Sequence, residues 1–156
     1  MARMYAPLLI LHSWLRWVVL LTALLAIARA VRGRSAGTWG PADDAAGKWF
    51  VISLDVQVLI GLILYLFLSP YTMAVWGNMG EAMGDSFLRF MAVEHLFGMV
   101  AGTALAHVGR ARARKGADPR RRHTQALIFF TIALVVILAS VPWPWMPVSR
   151  PLFRTF

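Results

Sequence analysis

Apolar residues along the chain gather in four blocks, at about residues 6–30, 49–69, 86–109 and 124–140, with short polar stretches between them. An α-helix rising ~1.5 Å per residue crosses a hydrocarbon core of ~30 Å in about 20 residues, so each block predicts one membrane-spanning helix. The blocks are apolar around their whole circumference, unlike helices that bury one face in a soluble domain. The fourth block is the shortest, and Pro142 marks its end because proline cannot continue a helix. The first block does not read as a cleavable signal: only Arg3 precedes it, and no small-residue cleavage site with a soluble domain follows. The expectation is an all-α, integral membrane four-helix up–down bundle forming a single transmembrane domain over residues 1–156.

Composition narrows the chemistry. Cysteine is absent, which excludes disulfides, thiolate metal sites and iron–sulfur clusters. The net charge of +9 would suit nucleic acid, but its placement does not. Arg29, Arg32, Arg34 and Lys48 flank the connection between the first two blocks. Arg110, Arg112, Arg114, Lys115, Arg120, Arg121 and Arg122 fill the connection between the last two. Only Arg3, Arg89, Arg150 and Arg154 belong to the other side, and Arg16 lies within a span. The positive-inside rule then predicts cytoplasmic basic loops, both termini on the periplasmic side, and residence in a bacterial inner membrane. Lipid is the expected partner, and no nucleic acid. Trp14, Trp76, Trp143 and Trp145 fall near the outer interface, and Trp39 and Trp49 near the inner one, as an aromatic belt does.

Polar residues inside spans are costly and mark function by default. Here they are His12 and Arg16 in the first, Asp55 and Gln57 in the second, and Glu94, His95 and His107 in the third. The fourth span, with Gln125, Thr131 and Ser140, reads as structural. His12 and His95 lie ~9 and ~14 Å below the outer edge of their spans, a mismatch that helix tilt absorbs. In an up–down bundle these spans are diagonal, with axes about 11–14 Å apart, close to the gap needed by a haem with two axial histidines. Gly98 and Gly102 share the face of His95 and would leave clearance for a flat macrocycle. The same small residues, continued by Ala106, equally suit close helix packing without a cofactor. A second haem at His107 is not expected, because twelve residues turn it ~120° away from His95 around the helix. His107 reads as interfacial, and His123, inside a basic run, as solvated. Arg16, one turn below His12, needs a partner, with Glu94, Asp55 and a haem propionate as candidates. Asp55 and Gln57 also suit a proton or quinone path from the cytoplasmic side. Met73, Met79 and Met83 in the segment between the second and third blocks read as interfacial packing rather than a Cu(I) site. The proline- and tryptophan-rich tail reads as a stiff segment along the membrane surface or against a partner.

The stretches Leu11-His-Ser-Trp-Leu-Arg-Trp17, Gln57-Val-Leu-Ile-Gly-Leu-Ile-Leu-Tyr65, Glu94-His95 and Ser149-Arg-Pro-Leu-Phe-Arg154 resemble a family of small bacterial four-helix membrane proteins described as cytochrome b-like. The resemblance covers most of the chain and implies that His12 and His95 belong to the common pattern. Asp55 stands where the resemblance leads one to expect histidine in the second span.

Two functions follow as expectations. One is a haem b electron carrier with His12 and His95 as axial ligands, Gly98 and Gly102 as clearance and Arg16 as a charge partner, exchanging electrons with quinol or a periplasmic carrier. The other is a cofactor-free accessory or structural subunit of a larger respiratory or photosynthetic membrane complex, with further membrane subunits or a homo-oligomer as its partners. A transporter using Asp55 and Glu94 has less support, since no inverted repeat or broken helix is visible. No nucleophile–base–orienter set is present for hydrolysis, so a stand-alone enzyme is the less expected reading.

Overall fold

The computed structural model describes residues 2–155, which form helices and turns with no strand. In order these are α1 (Ala2–Ala36), α2 (Pro41–Ile63), α3 (Pro70–Gly77), α4 (Met79–Gly84), α5 (Ser86–Arg89), α6 (His95–Lys115) and α7 (Pro119–Ala139). Wide π-type turns at Leu64–Leu68 and Phe90–Glu94 extend α2 and join α5 to α6. Four continuous helical runs are long and apolar enough to cross a membrane: Met4–Ala36, Pro41–Leu68, Ser86–Lys115 and Pro119–Ala139.

These runs overshoot the apolar blocks, mostly at the basic end, because helix signals lie outside the hydrophobic stretch. Gly37, at φ 70°, closes α1 with its amide on the Gly33 carbonyl at 2.9 Å, a left-handed position that suits glycine. Pro41 then opens α2 at the first helical position, where a missing N–H costs nothing. Asp43 accepts from the Gly40 amide at 2.8 Å and from Arg29 Nε at 3.0 Å, tying the end of α1 to the start of α2. Asp118 caps α7 by accepting from the Arg121 amide at 2.9 Å, and Pro119 follows it. Residues 70–85 are not an open loop. Side chains of Ser69, Asn78 and Asp85 each accept from a backbone amide three residues on, starting α3, α4 and α5.

Each long helix packs on two neighbours, closing a ring α1–α2–α6–α7. Paired positions run in opposite directions, as in Thr22 with Ser53 and Arg29 with Asp43, or Asp44 with Arg110 and Asp55 with His107. The arrangement is therefore up–down, with α1 diagonal to α6. Both described chain ends lie at one end of the bundle and the arginine-rich connections at the other.

The core is built from small residues. Ala23, Ala30, Ala106, Ala113, Ala126 and Ala133 are buried, which lets helix backbones approach closely. Phe50 and Phe130 fill the space between them, edge to face at 5.4 Å. Outward positions carry large apolar groups, with Leu21 69% and Phe97 68% exposed, as a lipid-facing surface does and a water-facing one does not. Tight packing extends from mid-bundle to the basic end. Toward the tail end the helices separate around a cavity.

Candidate functional site

The cavity has a volume of about 140 Å³ and lies among α1, α2, α6 and the tail. Its walls are mostly apolar, supplied by residues such as Leu9, Leu54, Val58, Met91 and Met99. His12 and His95 enter it from the two diagonal helices, with ring centroids 6.4 Å apart and planes at 76°.

The end of α7 holds His95 in place. Pro142 stops that helix and leaves its last carbonyls without helical partners. Ser140 Oγ reaches back to the Val136 carbonyl at 2.8 Å, and Trp143 Nε1 donates to the Leu138 carbonyl at 2.8 Å. His95 Nδ1 lies 2.7 Å from the carbonyl of Ser140. A carbonyl only accepts, so Nδ1 carries a proton, and in the neutral ring Nε2 then holds the lone pair. Gln57 holds His12. Its amide nitrogen donates to the His12 carbonyl at 3.0 Å, which fixes the amide's orientation, and lies 3.3 Å from His12 Nε2. That nitrogen is a donor, so the lone pair of His12 is also on Nε2, and the buried Nδ1 has no partner. Gly61, one turn beyond Gln57, leaves room for the ring: a Cβ there would stand 3.0 Å from His12 Cε1. Two imidazoles thus share one apolar cavity, His95 held through Nδ1 and His12 through its backbone carbonyl and its Nε2, both of which meet Gln57.

Several of the other expected residues make different contacts from those the sequence suggested. Gly98 and Gly102 do not line the cavity. A Cβ at Gly98 would strike the Ser140 side chain, and one at Gly102 would meet Ile137 Cγ1 at 2.7 Å, so both glycines seat α6 against α7. Glu94 pairs with Arg89 at 3.1 Å and Asp55 with His107 at 2.8 Å, leaving neither for Arg16. Instead Arg16 Nη2 donates to the carbonyl of Leu152 at 2.6 Å. His123 is not solvated. It is fully buried under Gly33, donates from Nε2 to the Thr38 carbonyl at 2.8 Å, and packs on Trp39 at 4.6 Å. Met73 and Met79 are exposed and Met83 packs beside Val75 and Ala82, so the three methionines do not converge.

The tail turns back onto the chain's own first helix. Trp14 Nε1 donates to the Arg154 carbonyl at 3.0 Å and Trp17 Nε1 to the Leu152 carbonyl at 3.3 Å. Phe153 lies on both indoles, with centroids 5.4 Å from each and nearly parallel to Trp17. The segments Trp14-Leu-Arg-Trp17 and Leu152-Phe-Arg154 are therefore two halves of one clasp over the cavity. Each aromatic pair contributes about 0.5–1.5 kcal/mol, so Phe153→Ala is expected to weaken the clasp by about 1–2 kcal/mol. Amide hydrogen exchange across residues 149–155 should rise while exchange in α7 stays as it was; unchanged protection of the tail would contradict the clasp.

Among the described residues, no cluster of three or more His, Cys, Asp or Glu side chains is placed to hold a metal ion. A metal in the cavity would rest on His12 and His95 and on ligands that it brings with it. No protein-family model, no curated protein and no solved structure matches this chain.

Proposed function

We propose that the protein is a small membrane electron carrier of the cytochrome b-like kind, with His12 and His95 as the axial ligands of one b haem. The supporting observation is the 6.4 Å ring spacing of two histidines in an apolar cavity between diagonal helices. Metal–imidazole bonds of about 2.0–2.1 Å, the zinc values, set two nitrogens on one metal about 4 Å apart and their ring centres somewhat further. The observed spacing fits that requirement. The 2.7 Å contact from His95 Nδ1 to Ser140 resembles the outer-shell contact that fixes metal-bound histidines. The donor set fits better than the volume does. A void of roughly 150 Å³ admits a ring the size of benzene, so a macrocycle would enter by displacing flexible side chains such as Met91 and Met99.

Haem supplies a one-electron couple, and the chain's residues would orient it, exclude water and set its surroundings. By the positive-inside rule the arginine-rich end faces the cytoplasm, which puts the cavity in the periplasmic half of a bacterial inner membrane. Quinol from the bilayer or a periplasmic carrier would then be the exchange partner. The second reading is a cofactor-free subunit of a larger membrane complex, favoured by the closure of Gly98 and Gly102 against α7.

The coordination test is the visible spectrum of the reduced, haem-loaded protein before and after carbon monoxide. Two histidine ligands predict a sharp low-spin α-band that carbon monoxide leaves unchanged. Rapid formation of a carbon monoxide complex would mean an open axial position and contradict the His12–His95 pair.

A further inference from the structure

The cavity has a second chemical character at its tail end. Arg16, Arg150 and Arg154 all line it, and no side-chain carboxylate does. The ion pairs among the described residues use Arg29, Arg89, Arg110, Arg114 and His107, none of which belongs to this group. Three arginines thus line one apolar void, and among the described residues no Asp or Glu lines it with them. Like charges brought together in a low-dielectric setting repel, and each loses hydration that only an anion or several carbonyls can replace.

Arg16 and Arg150 are held by their side chains, and Arg154 by its backbone. The Arg16 guanidinium lies 5.3 Å from the Trp17 ring and 5.9 Å from the Trp143 ring, with one nitrogen on the Leu152 carbonyl. Its Nε is buried without a partner. Arg150 lies over Tyr71 and Phe87, at 4.8 and 4.7 Å, fixed from α3 and α5. Arg154 is carried by the stretch that Trp14 and Phe153 clasp onto α1. Aromatic faces and a carbonyl hold Arg16 and Arg150 without neutralising them, and arginine N–H groups are donors of the fork type that suits carboxylates.

We propose that Arg150 and Arg154 of the tail join Arg16 to form a cradle for a pair of carboxylates on the ligand in the cavity, namely the two propionate arms of the haem. This assignment rests on the haem reading. It gives the tail a role in binding: the segment closes the cavity and brings two of the three cations. It also accounts for a clasp that joins two distant stretches of the chain at the cavity's mouth.

The test is a haemin titration of the full-length, detergent-solubilised apoprotein, run in parallel with the haem dimethyl ester, which has no free carboxylates. Arg150→Gln and Arg154→Gln are made singly and together, since neither side chain makes the clasp contacts of Arg16. Hydrogen bonds to charged groups predict that the double variant loses roughly 10–100-fold in affinity for haemin. The same variant should bind the ester as the parent does. Removing positive charge near the iron should also lower the midpoint potential of the loaded protein. Unchanged haemin affinity in the double variant would overturn the cradle and leave the haem reading standing. An equal loss for haemin and ester would also overturn it, making the two arginines structural. A parent protein that binds neither ligand would overturn the haem reading and the cradle with it.

Discussion

Replacing His95 with alanine is expected to abolish stable haem binding, by more than the ~10–100-fold that loss of an outer-shell partner costs. The ring does two jobs. Its Nδ1–H satisfies the Ser140 carbonyl at 2.7 Å, and its Nε2 lone pair is available to the cavity shared with His12. Alanine removes both, so a loss of haem alone could follow from a loosened α6–α7 junction. His95→Gln separates the two effects, because its amide can still donate to Ser140 while offering no imidazole. The glutamine variant is expected to keep parental thermal stability and still fail to hold haem. His12→Ala should behave likewise, with Gln57 retaining its bond to the backbone carbonyl at residue 12. Retention of haem in both His95 variants would remove that residue from the ligand set.

Gly33→Val is expected to destabilise the whole bundle by about 2–4 kcal/mol. At the basic end His123 joins α7 to α1 and to the turn after it, and its ring lies directly over the α-carbon of Gly33. A Cβ at residue 33 would occupy the space of the imidazole Cε1 and Nε2 atoms. The ring cannot swing aside freely, since Trp39 packs on it and the Thr38 carbonyl accepts its proton at 2.8 Å. Displacement therefore costs packing and leaves a buried acceptor unsatisfied. Thermal unfolding in detergent would show the loss. The double variant Gly33→Val with His123→Ala should recover part of it, because the added methyl groups then fill the space the ring has left. Simple additivity of the two losses would refute direct contact.

The two positions differ in how readable they were. The helix pairs and the presence of histidines in two diagonal spans follow from hydropathy, charge placement and helical rise, all local or periodic signals. The helix ends required capping signals instead: Gly40-Pro41, Ser69-Pro70, Asn78 with Glu81, and Asp118-Pro119 are visible in the sequence but lie where hydropathy has already fallen. Arg16 shows a different limit. Carboxylates are the partners that a sequence advertises, whereas its partner is a main-chain carbonyl 136 residues away, which every residue possesses. His123 was obscured by the arginines before it, and its burial depends on Gly33, a residue remote in sequence with no side chain to signal contact. Gly98 and Gly102 read as clearance for a flat macrocycle, but the group they face is α7. The glycine that makes room for a histidine is Gly61, four residues after Gln57, and the i, i+4 pairing of those two was the available signal.

The clasp explains why two stretches near opposite ends of the chain carry matching aromatic and arginine residues. Trp14, Arg16 and Trp17 all donate to tail carbonyls, at residues 152 and 154, which needs no particular side chain there but does need carbonyls left free by a non-helical backbone. The prolines at 142, 144, 147 and 151 keep the segment from continuing as a helix.

The most direct measurement is the pyridine haemochrome content of the protein purified in detergent from haem-replete cells, expressed per chain. One b haem per chain is expected in the parent and none when His12 and His95 are both alanine. A colourless, folded parent protein from such cells would contradict it and leave the cavity to a different ligand or to none.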